Sequence, residues 1–220
     1  MNKLKLINKL HHSTKRNYLK RMTDNKIHCM KIAKKYEFDY WDGNRKYGYG
    51  GYKFIPGRWT PIAKKIIKHF KLNNNSKILD AGCGKGYLLY EVKQILPNIK
   101  IVGFDISRYG IKNSHPKIKK YLFNHDINQK TKFKNKEFDL VISLGCLHNL
   151  KIHNLIKTIK EIVRIGKKNY IMVESYRNDK ELFNLQCWAL TCQSFFSDDQ
   201  WIWILKSSGF KGSYEFIHFK

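Results

Sequence analysis

The chain has 220 residues, of which 42% are hydrophobic and 14% aromatic, so it is long enough and apolar enough to fold around a sizeable core. It contains no run of about 18 apolar residues, and its lysine-rich start lacks the apolar stretch of a secretory signal, so neither a membrane span nor a leader is predicted. Five cysteines without a CxxC pair exclude the common zinc spacings and favour free thiols in the cytoplasm.

The formal net charge of +26 has two interpretations. Such a charge attracts nucleic acid or an acidic membrane surface. However, 36 of the 43 basic residues are lysines, which is typical of compositional drift, whereas specific phosphate and base contacts favour the arginine fork. Under either interpretation the protein attracts anionic small molecules.

Residues 1–59 precede the regular part of the chain. Residues 1–35 contain eleven Lys or Arg and a single acid, Asp24, which predicts a solvated or partly ordered basic arm, with a short amphipathic helix as the alternative. Residues 36–59 mix glycines with aromatic residues, which predicts an irregular lid segment whose rings pack on the rest of the fold. We therefore divide the chain into an arm and lid over 1–59 and a folded domain over 60–220.

From Thr60 onward, predicted strands and helices alternate. Apolar runs predict strands over Lys77–Ala81, Ile99–Asp105, Lys120–Phe123, Phe138–Ser143, Tyr170–Glu174 and Tyr214–Phe219. Helical spacing predicts helices over Tyr87–Leu96, Ile152–Ile165 and Trp201–Ser208, in addition to one that begins near Thr60. Ser197 and Gln200 are predicted to form a capping box at the start of the last helix. This order predicts an α/β fold with a Rossmann-like, mainly parallel sheet and helices on both faces. We expect an antiparallel strand near the C-terminus.

Residues 80–86 read Asp-Ala-Gly-Cys-Gly-Lys-Gly and join the first of these strands to a helix. Such a glycine turn lets backbone N–H groups approach a ligand at the start of a helix. Acids end the next two strands: Asp105 lies 19 residues after Gly86, where dinucleotide-binding folds hold a ribose diol, and Asp126 follows the third strand. Because the carboxyl ends of parallel strands meet at one edge of the sheet, turn and acids are predicted to form one ligand site.

This Asp-x-Gly-x-Gly-x-Gly pattern, with Asp105 and Asp126 after it, resembles motif I and the following strands of class I S-adenosylmethionine (SAM) dependent methyltransferases. The resemblance implies that the glycine turn lies under the amino-acid part of SAM, that Asp105 holds the ribose hydroxyls and that Asp126 faces the adenine. Phe138–Ser143 is similar to motif IV, whose end lies beside the reactive methyl group. The implied cofactor residues are Asp80, Gly82, Cys83, Gly84, Gly86, Asp105, Ile106, Asp126, Ile127 and Ser143. A nicotinamide dehydrogenase is the alternative, although its turn would normally read Gly-x-Gly-x-x-Gly.

The segment after the fourth predicted strand, residues 143–150, contains the main catalytic candidate. His148 is the candidate general base because imidazole titrates near neutral pH; the alternative is a residue that only shapes the site. Glu174, at the end of the fifth strand, is a second candidate that would orient a substrate hydroxyl or amine. Cys146 is not expected to act as a nucleophile. The sequence lacks the (Asn/Asp)-Pro-Pro-(Tyr/Phe) loop that amino methyltransferases of DNA, and many of RNA, carry after this strand. Ser143 stands where metal-dependent catechol-type enzymes have an aspartate, so we expect no metal.

Two segments are predicted to bind the acceptor: the lid, and the residues between the fifth strand and the last helix. Their candidate residues are Tyr47, Tyr52, Arg58, Trp59, Tyr176 and Trp188, and packing within the fold is the alternative for each. Residues 40–51 and 147–150, together with the Val-Glu-Ser-Tyr-Arg-Asn of 173–178, are similar to a group of small bacterial methyltransferases associated with surface-polysaccharide or other small-molecule pathways.

The sequence therefore predicts a SAM-dependent methyltransferase, with S-adenosylhomocysteine (SAH) as the cofactor product. Its acceptor is expected to be an oxygen or nitrogen atom of a small polar or anionic metabolite, such as a sugar or a nucleotide or phosphate derivative. Two alternatives stay open. One is an RNA methyltransferase that uses the basic arm, which the net charge favours. The other is a SAM-binding module without catalysis that recruits a partner through that arm.

Overall fold

The structure is a computed structural model that describes residues 1–13 and 16–220. Its strands are β1 (Asn2–Lys3), β2 (Lys77–Ala81), β3 (Lys100–Asp105), β4 (Leu122–Asn124), β5 (Phe138–Leu144), β6 (Gly166–Glu174) and β7 (Ser213–Ile217). They form one sheet in the order β1, β7, β6, β5, β2, β3, β4, in which each pair of neighbours is parallel. The predicted α/β architecture with a mainly parallel sheet is confirmed.

In the described part of the chain, five α-helices lie between β1 and β2, and five more connect the later strands. They are α1 (Asn8–His12), α2 (Tyr18–Thr23), α3 (Lys26–Ala33), α4 (Phe38–Trp41), α5 (Thr60–Phe70), α6 (Tyr87–Ile95), α7 (Arg108–Lys112), α8 (Ile152–Ile165), α9 (Asp179–Trp188) and α10 (Asp198–Ser207). The capping box predicted at the last helix is formed, since Ser197 and Gln200 exchange hydrogen bonds with each other's main chain. Within the residues described, no helix is both long and apolar enough to cross a lipid bilayer.

The core lies on both faces of the sheet. Helices α8 and α10 pack on one face, where they meet Leu79 of β2 and Val141 of β5. Helices α5 and α6 pack on the other face, where they meet the neighbouring residues Ile78 and Leu140. Adjacent residues of one strand thus reach opposite cores, which explains why the central strands are apolar throughout rather than alternating.

The last strand differs from the sequence prediction, because β7 runs parallel to β6 and not antiparallel to it. Residues 175–212 between the two strands include α9 and α10, and α10 packs on one face of the sheet before the chain re-enters it. A crossover of that kind returns the chain in its original direction, whereas an antiparallel neighbour needs only a hairpin. The alternation of apolar residues in 214–219 carries no information on strand direction.

The basic arm is more ordered than the sequence predicted. Strand β1 extends the sheet beyond β7, and Ile7 is buried. The fully buried carboxylate of Glu215 in β7 accepts hydrogen bonds from the main-chain N–H groups of residues 6–8 and from the hydroxyl of Tyr170. This carboxylate at the start of α1 ties the beginning of the arm to the sheet.

Candidate active site

The glycine turn after β2 has a backbone that side chains would obstruct. Gly82 and Gly84 have φ values of +88° and +56°, which residues with a Cβ rarely adopt. A Cβ on Gly82 would lie 2.6 Å from the Sγ of Cys146, and one on Gly84 would lie 2.7 Å from the ring of Trp41. The turn therefore leaves bare backbone against the space at the strand ends.

Asp105, at the end of β3, is held by this turn. Its carboxylate accepts hydrogen bonds from the main-chain N–H of Gly84 at 2.8 Å and of Ser107 at 2.9 Å. Burial raises the pKa of Asp105, and these main-chain donors oppose the rise. Each carboxylate oxygen has accepted one of these bonds and retains a further lone pair, which is enough to accept from a diol.

Two adjoining cavities lie at the carboxyl ends of the strands, with volumes of about 570 and 370 Å³. Both are lined by Trp41, Tyr49 and Gly145, so they share a wall. The smaller cavity is lined by the predicted cofactor residues Asp105, Ile106, Asp126 and Ile127. The larger is lined by Asp80, Gly82, Cys83 and Gly84, by both catalytic candidates His148 and Glu174, and by Tyr52, Arg58, Trp59 and Trp188. The structure thus brings most of the predicted site residues together.

Four predicted site residues have other surroundings. Ser143 is fully buried, and its hydroxyl donates to the carbonyl of Ala81, which ties β5 to β2. Gly86 is the N-terminal cap of α6 and abuts the side chains of β4. Tyr47 packs on α3, and Tyr176 packs in the apolar cluster around Phe219.

Asp80 tests whether a cofactor with a cationic group fits here. The side chain is buried at the wall of the larger cavity, and its Oδ1 has no hydrogen-bond partner among the described residues. Burial, together with the nearby carboxylate of Asp105, raises the pKa of Asp80 to about 8. A buried acid with an unused oxygen beside bare backbone suits an ammonium group such as that of SAM, so the residues present fit this cofactor.

The lid segment covers both cavities and is fastened at two points. The ammonium of Lys85, in the glycine turn, donates to both carboxylate oxygens of Asp42 at 2.8 and 2.7 Å and to the carbonyl of Tyr52 at 2.8 Å. The indole N–H of Trp41 donates to the hydroxyl of Ser107 at 2.8 Å. Sequence reasoning did not find Lys85 or Asp42, since a lysine between two glycines is normally solvated.

His148 and Glu174 form a pair in the wall of the larger cavity. The main-chain N–H of Glu174 donates to Nδ1 of His148 at 3.3 Å, while Nε2 lies 3.4 Å from the carboxylate of Glu174. Burial lowers the pKa of His148, and the carboxylate of Glu174 opposes this effect. In the neutral ring Nδ1 therefore accepts and the proton resides on Nε2, facing Glu174.

Cys146 and the acidic side chains are the remaining groups that could support nucleophilic or metal chemistry. Burial raises the pKa of Cys146, which keeps its thiol protonated and weakly nucleophilic. No group of three His, Cys, Asp or Glu side chains suited to a metal ion occurs among residues 1–13 and 16–220. The absence of a metal remains a prediction.

Comparison with known families agrees with this geometry. Residues 54–214 match a family model described as a methyltransferase domain, which is most of the chain. The chain therefore belongs to this methyltransferase family, within the class I SAM-dependent methyltransferase superfamily. No curated protein sequence matches it.

Solved structures share the fold at low sequence identity. One is in a complex of the Haloferax volcanii Trm112 methyltransferase activator with a methyltransferase (19% identity, TM-score 0.53, 70% of this chain and 73% of that chain covered). Another is a methyltransferase of Bacillus halodurans C-125 (18%, 0.54, 67% and 68%). A third is the geranyl diphosphate C-methyltransferase of Streptomyces coelicolor A3(2), which was crystallised with Mg²⁺, geranyl diphosphate and SAH (11%, 0.52, 66% and 59%). At these identities the likeness establishes the fold alone.

Proposed function

We propose that the protein is a SAM-dependent methyltransferase that transfers a methyl group to an oxygen or nitrogen atom of a small polar acceptor in the cytoplasm. The observation that carries this proposal is the pair of adjoining cavities that meet at Gly145: one is lined by the acids Asp105 and Asp126, and the other by the His148–Glu174 pair. In this proposal residues 60–220 are the methyltransferase domain, and residues 1–59 close the cavities from above.

The cofactor would lie across both cavities. Asp105 and Ile106 would hold the ribose and Asp126 with Ile127 the adenine, all in the smaller cavity. Asp80 and the glycine turn would hold the amino-acid part in the larger one. The bound cofactor supplies an activated methyl group, so the residues around the acceptor have only to align it, exclude water and take its proton.

The geometry favours Glu174 over His148 as the group that takes this proton. Neither ring nitrogen of neutral His148 is available to accept a proton. Nδ1 accepts a hydrogen bond from the main-chain N–H of Glu174, and Nε2 already carries the ring proton. The carboxylate of Glu174 has two oxygens that can accept a proton. Nε2 of His148 faces only one of them, Oε2. We therefore assign proton removal to the Glu174 carboxylate and the orientation of that carboxylate to His148, which reverses the roles that the sequence favoured.

A small acceptor is supported by the size of the larger cavity, whose volume of about 570 Å³ suits a metabolite. The RNA alternative is supported by the net charge of +26. The two make opposite predictions about label transfer. Incubation with methyl-labelled SAM and cell extract, followed by fractionation, is expected to place the label in small molecules, and label in RNA would instead establish the alternative.

Binding and turnover separate the residue roles. Asp105→Asn is expected to abolish SAH binding in calorimetry, while Asp199→Asn, which makes the same charge change at an exposed residue of α10, is expected to leave it intact. With the labelled fraction as acceptor, Glu174→Gln is expected to bind SAH normally and to lose more turnover than His148→Gln. Unchanged SAH affinity in Asp105→Asn would refute the ribose contact, and the opposite order of the two turnover losses would refute the assigned roles.

A further inference from the structure

Three arginines converge on one aromatic ring in the larger cavity. The guanidinium carbons of Arg21, Arg45 and Arg16 lie 4.5, 5.1 and 5.3 Å from the ring centroid of Trp188. All four side chains line the cavity. A guanidinium at such a distance is attracted by the ring, which holds the group in place without neutralising its charge.

These side chains come from distant parts of the chain. Arg16 and Arg21 belong to the arm, Arg45 lies in the 3-10 turn of the lid (Arg45–Tyr47), and Trp188 ends α9. They account for three of only seven arginines in a chain with 36 lysines. Convergence of this rare residue type at one point is what a site for a planar, two-oxygen anionic group requires.

The charges of Arg21 and Arg45 are poorly compensated by the part of the chain that the structure describes. Arg21 is buried and donates to main-chain carbonyls, those of Arg45 at 2.9 Å and Lys46 at 2.7 Å, which are neutral acceptors. Across residues 1–13 and 16–220, neither Arg21 nor Arg45 forms an ion pair with a carboxylate. Burial, and then the charge of Arg45, lowers the pKa of Arg21 to about 10.

A neighbouring cation responds to the same field. Burial, and then the charge of Arg21, lowers the pKa of Lys26 to about 8. Burial lowers the pKa of Arg16, and Tyr18 and then the carboxylate of Glu174 oppose this effect. Glu174 thus offsets part of the charge at Arg16, whereas the guanidinium charges of Arg21 and Arg45 have no carboxylate partner among the described residues and are available to a ligand.

We propose that the acceptor carries a dianionic group, a phosphate monoester or a pair of carboxylates, that Arg21 and Arg45 bind over the face of Trp188 while the methylated atom faces Glu174. This inference rests on the proposed function, since it assigns the acceptor class of the same cavity. Bound in this way, the anion would draw the arm, the lid and α9 together, because each contributes a group to it. The acceptor would then complete its own enclosure, which excludes water from the reacting atoms.

The test is direct titration of the protein with small dianions. Inorganic phosphate and malonate at pH 8 are titrated separately by calorimetry at constant ionic strength, with acetate as the monoanionic comparison. Saturable binding of phosphate or malonate is expected, and whichever binds more tightly identifies the phosphoryl or the dicarboxylate class. Arg45→Gln is expected to weaken this binding at least about 10-fold, which corresponds to the loss of a charge-assisted hydrogen bond. Arg108→Gln, which removes an exposed arginine of α7, is expected to leave it unchanged.

The choice of Arg45 for substitution, and SAH as a second ligand, separate a folding defect from the loss of one contact. Arg21 supports the main chain of the lid, so Arg21→Gln could disturb folding, whereas Arg45 is exposed and its substitution is expected to be tolerated. SAH is titrated into each preparation. SAH binding without saturable dianion binding, or equal dianion binding by wild type and Arg45→Gln, would overturn the acceptor class alone. Failure of the wild-type protein to bind SAH would instead overturn the proposed function.

Discussion

Replacement of Lys85 by methionine is expected to release the lid from the glycine turn. The side chain of Lys85 is 3% exposed, and its ammonium makes three hydrogen bonds of 2.7–2.8 Å, two to Asp42 and one to the carbonyl of Tyr52. Burial alone would raise the pKa of Asp42, but hydrogen bonds from Lys85 and Tyr109 lower it. The ion pair therefore favours the ionised carboxylate, and Lys85→Met leaves that carboxylate short of its main partner.

The magnitude follows from the burial of the two groups. Removal of one partner from a buried pair costs about 3–5 kcal/mol. The Asp42 side chain is 20% exposed and keeps the main-chain N–H of Tyr52 and the hydroxyl of Tyr109, so we expect the lower end, about 3 kcal/mol, or roughly a 100-fold shift toward the open lid. Because Trp41 and Tyr49 of the lid line both cavities, the affinity for SAH should fall when the lid opens.

A double-mutant cycle measures this coupling. Lys85→Met, Asp42→Asn and the double variant are compared by hydrogen exchange of residues 36–59 and by SAH titration, and a coupling of at least about 1.5 kcal/mol is expected. The matched control is Lys77→Met with Glu137→Gln, a pair that is 30% and 23% exposed. A coupling for Lys85 and Asp42 no larger than the roughly 0.2–1 kcal/mol of surface pairs would refute the reasoning.

Three further outcomes are expected. Because the pKa of Asp80 is raised to about 8 in the fold, the ligand-free protein should lose stability as the pH rises from the ordinary range of an aspartate through pH 8. Asp80→Asn should flatten that decline of Tm with pH while weakening SAH binding, and an unchanged slope would contradict the assigned pKa. Gly82→Ala should reduce SAH affinity about 10-fold because its Cβ would displace Cys146, whereas Gly209→Ala, with a φ of +75° but open space around it, should leave affinity unchanged. Glu215→Gln should lower the unfolding free energy by about 2 kcal/mol in urea titrations and expose the arm to protease, and an unaltered protease pattern would argue against its anchoring role.

Local signals predicted the elements and the acids at the strand ends. Strand β2 was predicted over Lys77–Ala81 and observed there, because an apolar run between polar residues specifies a buried strand within a few positions. The capping box at Ser197 was predicted for the same reason, since its partners are three residues apart. The acids at strand ends, Asp80 and Asp105, were placed at one edge because parallel strands leave no other arrangement.

Other features depended on contacts between remote residues. Strand β7 is parallel because the chain returns to the sheet through a helical connection that includes α10, which the alternating residues of β7 do not encode. The arm folds because Glu215, more than 200 residues away, accepts its main-chain N–H groups. The reversal of roles that we propose for His148 and Glu174 is argued from one main-chain hydrogen bond, which no pattern of side chains predicts.

The sequence by itself thus determined the α/β order, the glycine turn and the acids around it, since periodicity, capping and turn chemistry act over a few neighbouring residues. Only the tertiary structure decided which residues line the larger cavity. Lys85 forms an ion pair with Asp42, which lies 43 residues away in the sequence, and Arg21 of the arm contacts Trp188 near the other end of the chain. Such pairs form because packing of the whole sheet brings their backbones together, and burial then gives each charge a partner or leaves it available to a ligand.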